Sequence, residues 1–126
     1  MSVDQDGALQ NTVQAVNYGP GSGVHGLAVS SNNAVLYSAD DSGNAVWTHL
    51  IHPEQGNLAP VDRIPGPQSG SDPRHITVHP SGRHTYVLLE ETNKLAEYKI
   101  SPVTGTLVPT NASYPLVPGG TSNRSP

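Results

Sequence analysis

The stretch Asp72-Pro-Arg-His-Ile-Thr-Val-His-Pro-Ser-Gly-Arg-His-Thr-Tyr-Val-Leu-Leu-Glu90 places two short β-branched and aromatic runs, Ile76 to Val78 and Thr85 to Leu89, on either side of Pro80-Ser-Gly82. Alternating apolar positions broken by a Pro/Gly turn describe a β-hairpin. Moved back by 76 − 27 = 49 residues, the pattern recurs in Leu27-Ala-Val29, the polar turn Ser30 to Asn33, and Val35 to Ala39. The register holds without a gap through Leu58 and Leu107. It aligns Val29 with Val78, Tyr37 with Tyr86, Asn44 with Asn93, Ile51 with Ile100, Pro53 with Pro102, Gly56 with Gly105 and Pro60 with Pro109. Matches at both core and turn positions mark a repeated supersecondary unit.

Each unit continues in the same way. Ala45 to Ile51 and Leu95 to Ile100 read as third strands, and Pro53-Glu-Gln-Gly56 and Pro102-Val-Thr-Gly105 as the turns that follow. Fourth strands are expected near Val61 to Ile64 and near Leu116-Val117. Four antiparallel strands per period is how propeller blades read. The predicted fold is therefore all-β, about two four-stranded antiparallel blades of a β-propeller, over residues 21–67 and 68–118. Residues 1–20 are read as the end of a preceding blade or as disordered, with one short strand candidate at Val13 to Tyr18, and residues 119–126 as a disordered tail. Two blades alone leave sheet faces and edges bare, so self-association through open blade edges is expected.

The composition agrees with many short strands. Thirteen Gly and 12 Pro punctuate 126 residues, Phe is absent, and Trp47 with five Tyr supplies the aromatic bulk. A net charge of −4 offers no basic stripe for a phosphate backbone, so nucleic acid is not an expected partner. Without Cys there is no disulfide framework and no thiolate nucleophile or ligand. Met1 to Tyr18 lacks the basic start and apolar run of a signal peptide, and no stretch is long enough to cross a bilayer, which points to a cytoplasmic protein. Asn111-Ala-Ser113 and Asn123-Arg-Ser125 match the glycosylation sequon, which matters only on secretion.

Antiparallel arithmetic locates the polar residues. About a turn centred between Ser81 and Gly82, partners sum to 163 or 164, and Arg74 with Glu90 sums to 164. In the first unit His25 and Asp41 sum to 66 about the turn at Asn32 and Asn33. The 49-residue offset superposes Asp41 on Glu90 and His25 on Arg74, so both pairs gather at one mouth of the central channel. A guanidinium, an imidazole and two carboxylates there make an acid/base site; the plainer alternative is a structural Arg74–Glu90 ion pair tying two strands together. His75 and His79 share a strand face but have no identifiable third metal ligand, so no metal is expected. Trp47 reads as core between blades, and Asp40-Asp41 and Glu90-Glu91 also fit solvated strand ends.

The Asp72 to Glu90 stretch closely resembles the PRH…HP.GR..YVL.E segment of the fungal 3-carboxy-cis,cis-muconate lactonizing enzymes. Gly23-Val-His-Gly-Leu-Ala-Val29 with Leu36-Tyr-Ser-Ala-Asp-Asp41 looks like the preceding blade of that family, and the resemblance spans residues 20–118. It implies a seven-bladed propeller, related in fold to bacterial 6-phosphogluconolactonases, that works without metal or organic cofactor. It also implies a ring-closing isomerisation in which a carboxylate of the muconate adds across a conjugated double bond. By motif position the resemblance assigns His25, Glu90 and Arg74 as catalytic. A small dicarboxylate or tricarboxylate substrate is expected to meet Arg74 together with His75 and Asp41. Arg74 would hold a substrate carboxylate, and Glu90 or His25 would deliver the proton. The resemblance covers about two blades of seven. A lactone hydrolase on the same scaffold, and a noncatalytic propeller fragment serving as a binding or antigen module, are the alternatives.

Overall fold

A computed structural model describes residues 2–116. They form two four-stranded sheets in which every strand pairs antiparallel with its neighbour in sequence, and among the described residues there is no helix. The first sheet holds β1 (Val24–Val29), β2 (Val35–Asp40), β3 (Ala45–Ile51) and β4 (Leu58–Pro65). The second holds β5 (Pro73–Val78), β6 (His84–Leu89), β7 (Lys94–Ile100) and β8 (Leu107–Pro115). These are two propeller blades, as the repeat predicts.

The 49-residue identity extends to the backbone. Asn44 and Asn93 both adopt left-handed conformations, with φ 50 and 52°, and Gly56 and Gly105 do so at 75 and 76°. Gly7, another 49 residues upstream (56 − 7), has φ 87° in a turn closed by a Val3–Leu9 bridge. The turn between third and fourth strands is thus present three times. A side chain there would be strained in a conformation that only glycine adopts freely.

Two expectations about strands change. The fourth strand of the second blade is Leu107–Pro115, upstream of the expected Leu116-Val117; Leu116 follows it and Val117 lies outside the described residues. Pro109 and Pro115 argue against a strand in a linear reading, yet β8 is an edge strand, where a missing N–H can face outward at no cost to the ladder. Val13 to Tyr18 is not a strand. Its polar groups bond elsewhere: the Gln14 amide accepts the Leu58 N–H at 2.6 Å and donates to the Leu58 carbonyl at 3.1 Å. Tyr18 sets its ring against Trp47 and His49, at 5.2 and 5.5 Å between centroids. The tail at residues 119–126 and the Asn123 sequon fall outside the described residues.

The core lies between the two sheets. Val35, Tyr37, Ala39 and Val46 of the first face Ile76, Val87, Leu89, Ala96, Tyr98 and Leu107 of the second, all buried. At roughly 1.5–3 kcal/mol for each fully buried large apolar side chain, this layer holds the blades in register. Its rim is fixed by Tyr37, whose hydroxyl donates to the Gly105 carbonyl at 2.6 Å. Burial pushes the Tyr37 phenol up to about 12.

Candidate active site at the inner ends of the sheets

The sheets come closest at their first strands. A methyl group at Gly26 would lie 2.5 Å from the Arg74 carbonyl oxygen, so this approach of β1 to β5 requires glycine. In a closed propeller these innermost strands line the central channel.

Both strands carry a β-bulge at the same place. Val24 pairs with Asp40 and Gly26 with Ala39, leaving His25 outside the ladder; Pro73 pairs with Leu89 and His75 with Leu88, leaving Arg74 outside. The hairpin arithmetic therefore shifts. Beyond each bulge partners sum to 64 and 162, and the N–H groups of Asp41 and Glu90 donate to the carbonyls of Gly23 and Asp72, each at 3.0 Å. A bulge re-aims the extra residue, and here it points His25 and Arg74 along the inner end of the blade pair.

The side chains then meet as follows. Arg74 Nη1 lies 2.9 Å from Glu90 Oε2, with both side chains about four-fifths buried. Arg74 Nε is buried without a partner among the described residues. His25 does not face Asp41; its ring stands edge-on to His75, 5.0 Å between centroids at 89°. The carboxyl group of Asp41 is instead influenced by Glu90, across the blade boundary. Burial, the side chain and charge of Glu90, and the charge of Asp72 raise the Asp41 carboxyl to about 6, against an opposing pull from Arg74. Asp72 is also raised, by burial and by the charges of Glu91 and Glu90.

His79 is not part of this group. Its Nδ1 accepts the Ser81 N–H at 3.1 Å and meets the Ser81 hydroxyl at 2.9 Å, closing the β5–β6 turn as Ser30 closes the β1–β2 turn. Among the described residues no three His, Cys, Asp or Glu side chains gather as metal ligands.

Asn44 and Asp72, which support this mouth, escaped the sequence reading as site residues. The Asn44 side-chain oxygen accepts from Ser71 Oγ at 2.8 Å and the Asp72 N–H at 3.0 Å, and its amide donates to the Gln68 carbonyl at 2.9 Å. This pins the crossover into β5. Asp72 itself has φ 59°, an uncommon conformation immediately before Pro73. The repeat of Asn44 at Asn93 is the signal that marks this position in the sequence.

Buried polar groups on the far face of the first sheet complete the local frame. Asp40 accepts the N–H groups of Gly23 and Gly43 at 2.8 and 2.9 Å and the Trp47 indole N–H at 3.1 Å. Burial alone would raise its pKa, but these bonds, with one from Ser22, hold it below the ordinary value.

Comparison with known proteins agrees with this architecture. The family described as "Lactonase, 7-bladed beta-propeller" matches residues 1–125. Carboxy-cis,cis-muconate cyclase of Neurospora crassa is 37% identical over 125 residues, which is 99% of this chain and 34% of that protein. Muconate cycloisomerase 1 of Cutaneotrichosporon cutaneum is 29% identical over 79 residues, 63% of this chain and 21% of that one. The chain thus spans about a third or less of these relatives. Among solved structures, a periplasmic gluconolactonase of Pseudomonas aeruginosa superposes with TM-score 0.79 and 25% identity over 97% of this chain and 36% of its own. A Lactobacillus plantarum protein, at TM-score 0.76 and 24% identity over 97% of this chain and 37% of its own, shows the same fold. Two consecutive four-stranded blades, a 49-residue repeat and a match from residue 1 to 125 make this chain a member of the seven-bladed β-propeller lactonase family.

Proposed function

We propose that the chain contributes the channel-mouth site of an intramolecular lyase of the carboxy-cis,cis-muconate cyclase type, which lactonizes 3-carboxy-cis,cis-muconate in aromatic catabolism. The observation that carries this reading is the Arg74–Glu90 pair, aimed by a bulge to the inner end of the sheets beside His25 and His75. The 37% identity to the Neurospora cyclase supports it.

The chemistry asks for little. A substrate carboxylate oxygen attacks one carbon of a conjugated double bond, the π pair moves to the adjacent carbon, and that carbon takes a proton. Arg74 offers planar, bidentate donors to a carboxylate and offsets the charge that spreads through the conjugated acid in the transition state. Glu90 or His25 delivers the proton. His75 and Asp41 border the same space. Asp41, Asp72, Glu90 and Glu91 outnumber Arg74, so a multiply charged anion needs cations from further blades as well.

The test is the loss of muconate absorbance catalysed by the purified chain, alone and joined to the remaining blades of a homologue. Arg74→Ala is expected to lower kcat/KM by about 10²–10³-fold. Equal activity of the variant would remove Arg74 from the site. A second reading, hydrolysis of a lactone, is favoured by the similarity to the gluconolactonase; ring opening without muconate consumption would select it. A chain inactive in both assays fits the third reading, a noncatalytic binding module. Leu27 and Val29, 59 and 45% exposed on the free face of the first sheet, support the proposed self-association through open blade surfaces.

A further inference from the structure

Asn44 ends the turn that begins at Asp41, and its backbone is committed there: its N–H donates to the Asp41 carbonyl at 3.1 Å and its carbonyl accepts the Gly66 N–H at 2.8 Å. Its side chain reaches into the second blade. The side-chain oxygen takes two donors from the crossover into β5, Ser71 Oγ at 2.8 Å and the Asp72 N–H at 3.0 Å. The residues it holds pass the constraint on. The Asp72 carbonyl accepts the Glu90 N–H at 3.0 Å, and the Ser71 carbonyl accepts the Glu91 N–H at 3.3 Å. Arg74 stands two residues beyond Asp72, outside the ladder, with Nη1 2.9 Å from Glu90 Oε2. One side chain thus links the backbone of Asp41 in the first blade to both segments that carry the Arg74–Glu90 pair in the second.

The position is fitted to asparagine. Its φ is 50°, a left-handed conformation that asparagine adopts more readily than most residues. The oxygen accepts twice while the amide donates to the Gln68 carbonyl at 2.9 Å, so a carboxylate there would set acceptor against acceptor. Space is equally tight: Ser71 is fully buried, and a methyl group at Gly66 would collide with Asn44 Oδ1 and Ser71 Oγ. The backbone half of the arrangement recurs at Asn93, where φ is 52° and the carbonyl accepts the Leu116 N–H at 2.9 Å.

We propose that Asn44 is a positioning residue that fixes the Arg74–Glu90 pair at the blade boundary, set against the His25 and Asp41 end of the first blade. The inference rests on the lactonizing reading above. Arg74 has to hold a substrate carboxylate while the proton donor stands beside the attacked double bond, and a displacement of about 1 Å in such a site costs on the order of 10²-fold in rate. Asn44 touches neither group directly; it acts through Ser71 and Asp72.

The test uses Asn44→Gly, which leaves the left-handed backbone unstrained and removes the clamp. In the 126-residue chain, NMR hydrogen exchange of the Glu90 N–H is expected to quicken about tenfold, while that of Val87 in the middle of β6 stays as it was. Ser71→Ala removes one of the two donors, leaves Asn44 in place and should quicken Glu90 about threefold. In the muconate assay Asn44→Gly should lower kcat/KM about 10–100-fold where Arg74 is present and by less than about twofold in an Arg74→Ala background. Unchanged Glu90 exchange in both variants overturns the proposal. Equal quickening at Val87 in both, or equal losses of kcat/KM in the two backgrounds, would make Asn44 a general support of the fold and overturn it as well. Quickening confined to Glu90, in a protein whose wild type leaves muconate untouched, would support the clamp and overturn the lactonizing reading.

Discussion

The same face of the two blades is built from opposite chemistry. In the second blade it consists of Ile76, Val87, Leu89, Ala96 and Tyr98, and the first blade covers it. In the first blade the residues 49 positions earlier are Leu27, Ser38, Asp40, Trp47 and His49. Ser38, Asp40 and His49 are fully buried there, while Leu27 stands open. Where Leu89 packs apolar surface, Asp40 gathers the N–H groups of Gly23, Gly43 and Trp47. One backbone thus accepts either dry packing or a carboxylate held by three N–H donors, with Ser38 Oγ and His49 Nε2 buried beside it without a partner among the described residues.

Exchanging the two solutions should break this equivalence most severely from the apolar side. Leu89→Asp puts a carboxylate where Trp47 is replaced by Ala96, so the indole donor is missing; we expect a loss of about 3–5 kcal/mol in urea unfolding. The reverse change, Asp40→Leu, puts a bulkier side chain into the site and orphans two backbone N–H groups and an indole, for about 2–3 kcal/mol. A neutral result for Asp40→Leu would show that the polar ring is dispensable.

Tyr37 and Tyr86 sharpen the comparison. Tyr37→Phe loses the bond to Gly105 and should cost about 1 kcal/mol, whereas Tyr86→Phe, at the equivalent position on a sheet face that no other described strand covers, should change urea stability by only about 0.3 kcal/mol or less. Equal costs would mean that the Tyr37 bond adds nothing net.

The smallest effect separates adjacent acids by the sign of their pH dependence. Asp40 has a folded pKa below its ordinary value, so its contribution is present above about pH 4 and is lost on acidification. Asp41 is raised to about 6, so the folded state binds the extra proton between pH 4 and 6 and stability falls as pH rises through that window. Asp41→Asn should therefore raise Tm by a few degrees at pH 8 and leave it unchanged at pH 4. A rise of equal size at both would place the effect outside ionisation.

Turn and core identities spaced by 49 residues carry the blade architecture in the sequence itself, because strand alternation and Pro/Gly turns are local signals. The fourth strand of the second blade was harder to place, since Pro109 and Pro115 are tolerated only by an edge whose outward side needs no donors. At the site, the Arg74–Glu90 contact was legible from hairpin counting even though the count ignored the bulge. The His25–Asp41 pairing was not, because one bulged residue separates His25 from the ladder and returns Asp41 to Gly23. Contacts between blades, such as His25 with His75, depend on how two sheets wedge together, which no single strand pattern encodes.

The bulge shared by β1 and β5 turns the inner end of each sheet into an interchangeable socket. It holds an imidazole in one blade and a guanidinium in the next without altering the strands around it. A ring of such sockets lets single substitutions rewrite the reagents presented to the axis while the scaffold stays constant, so new chemistry on this architecture need not wait for a new backbone.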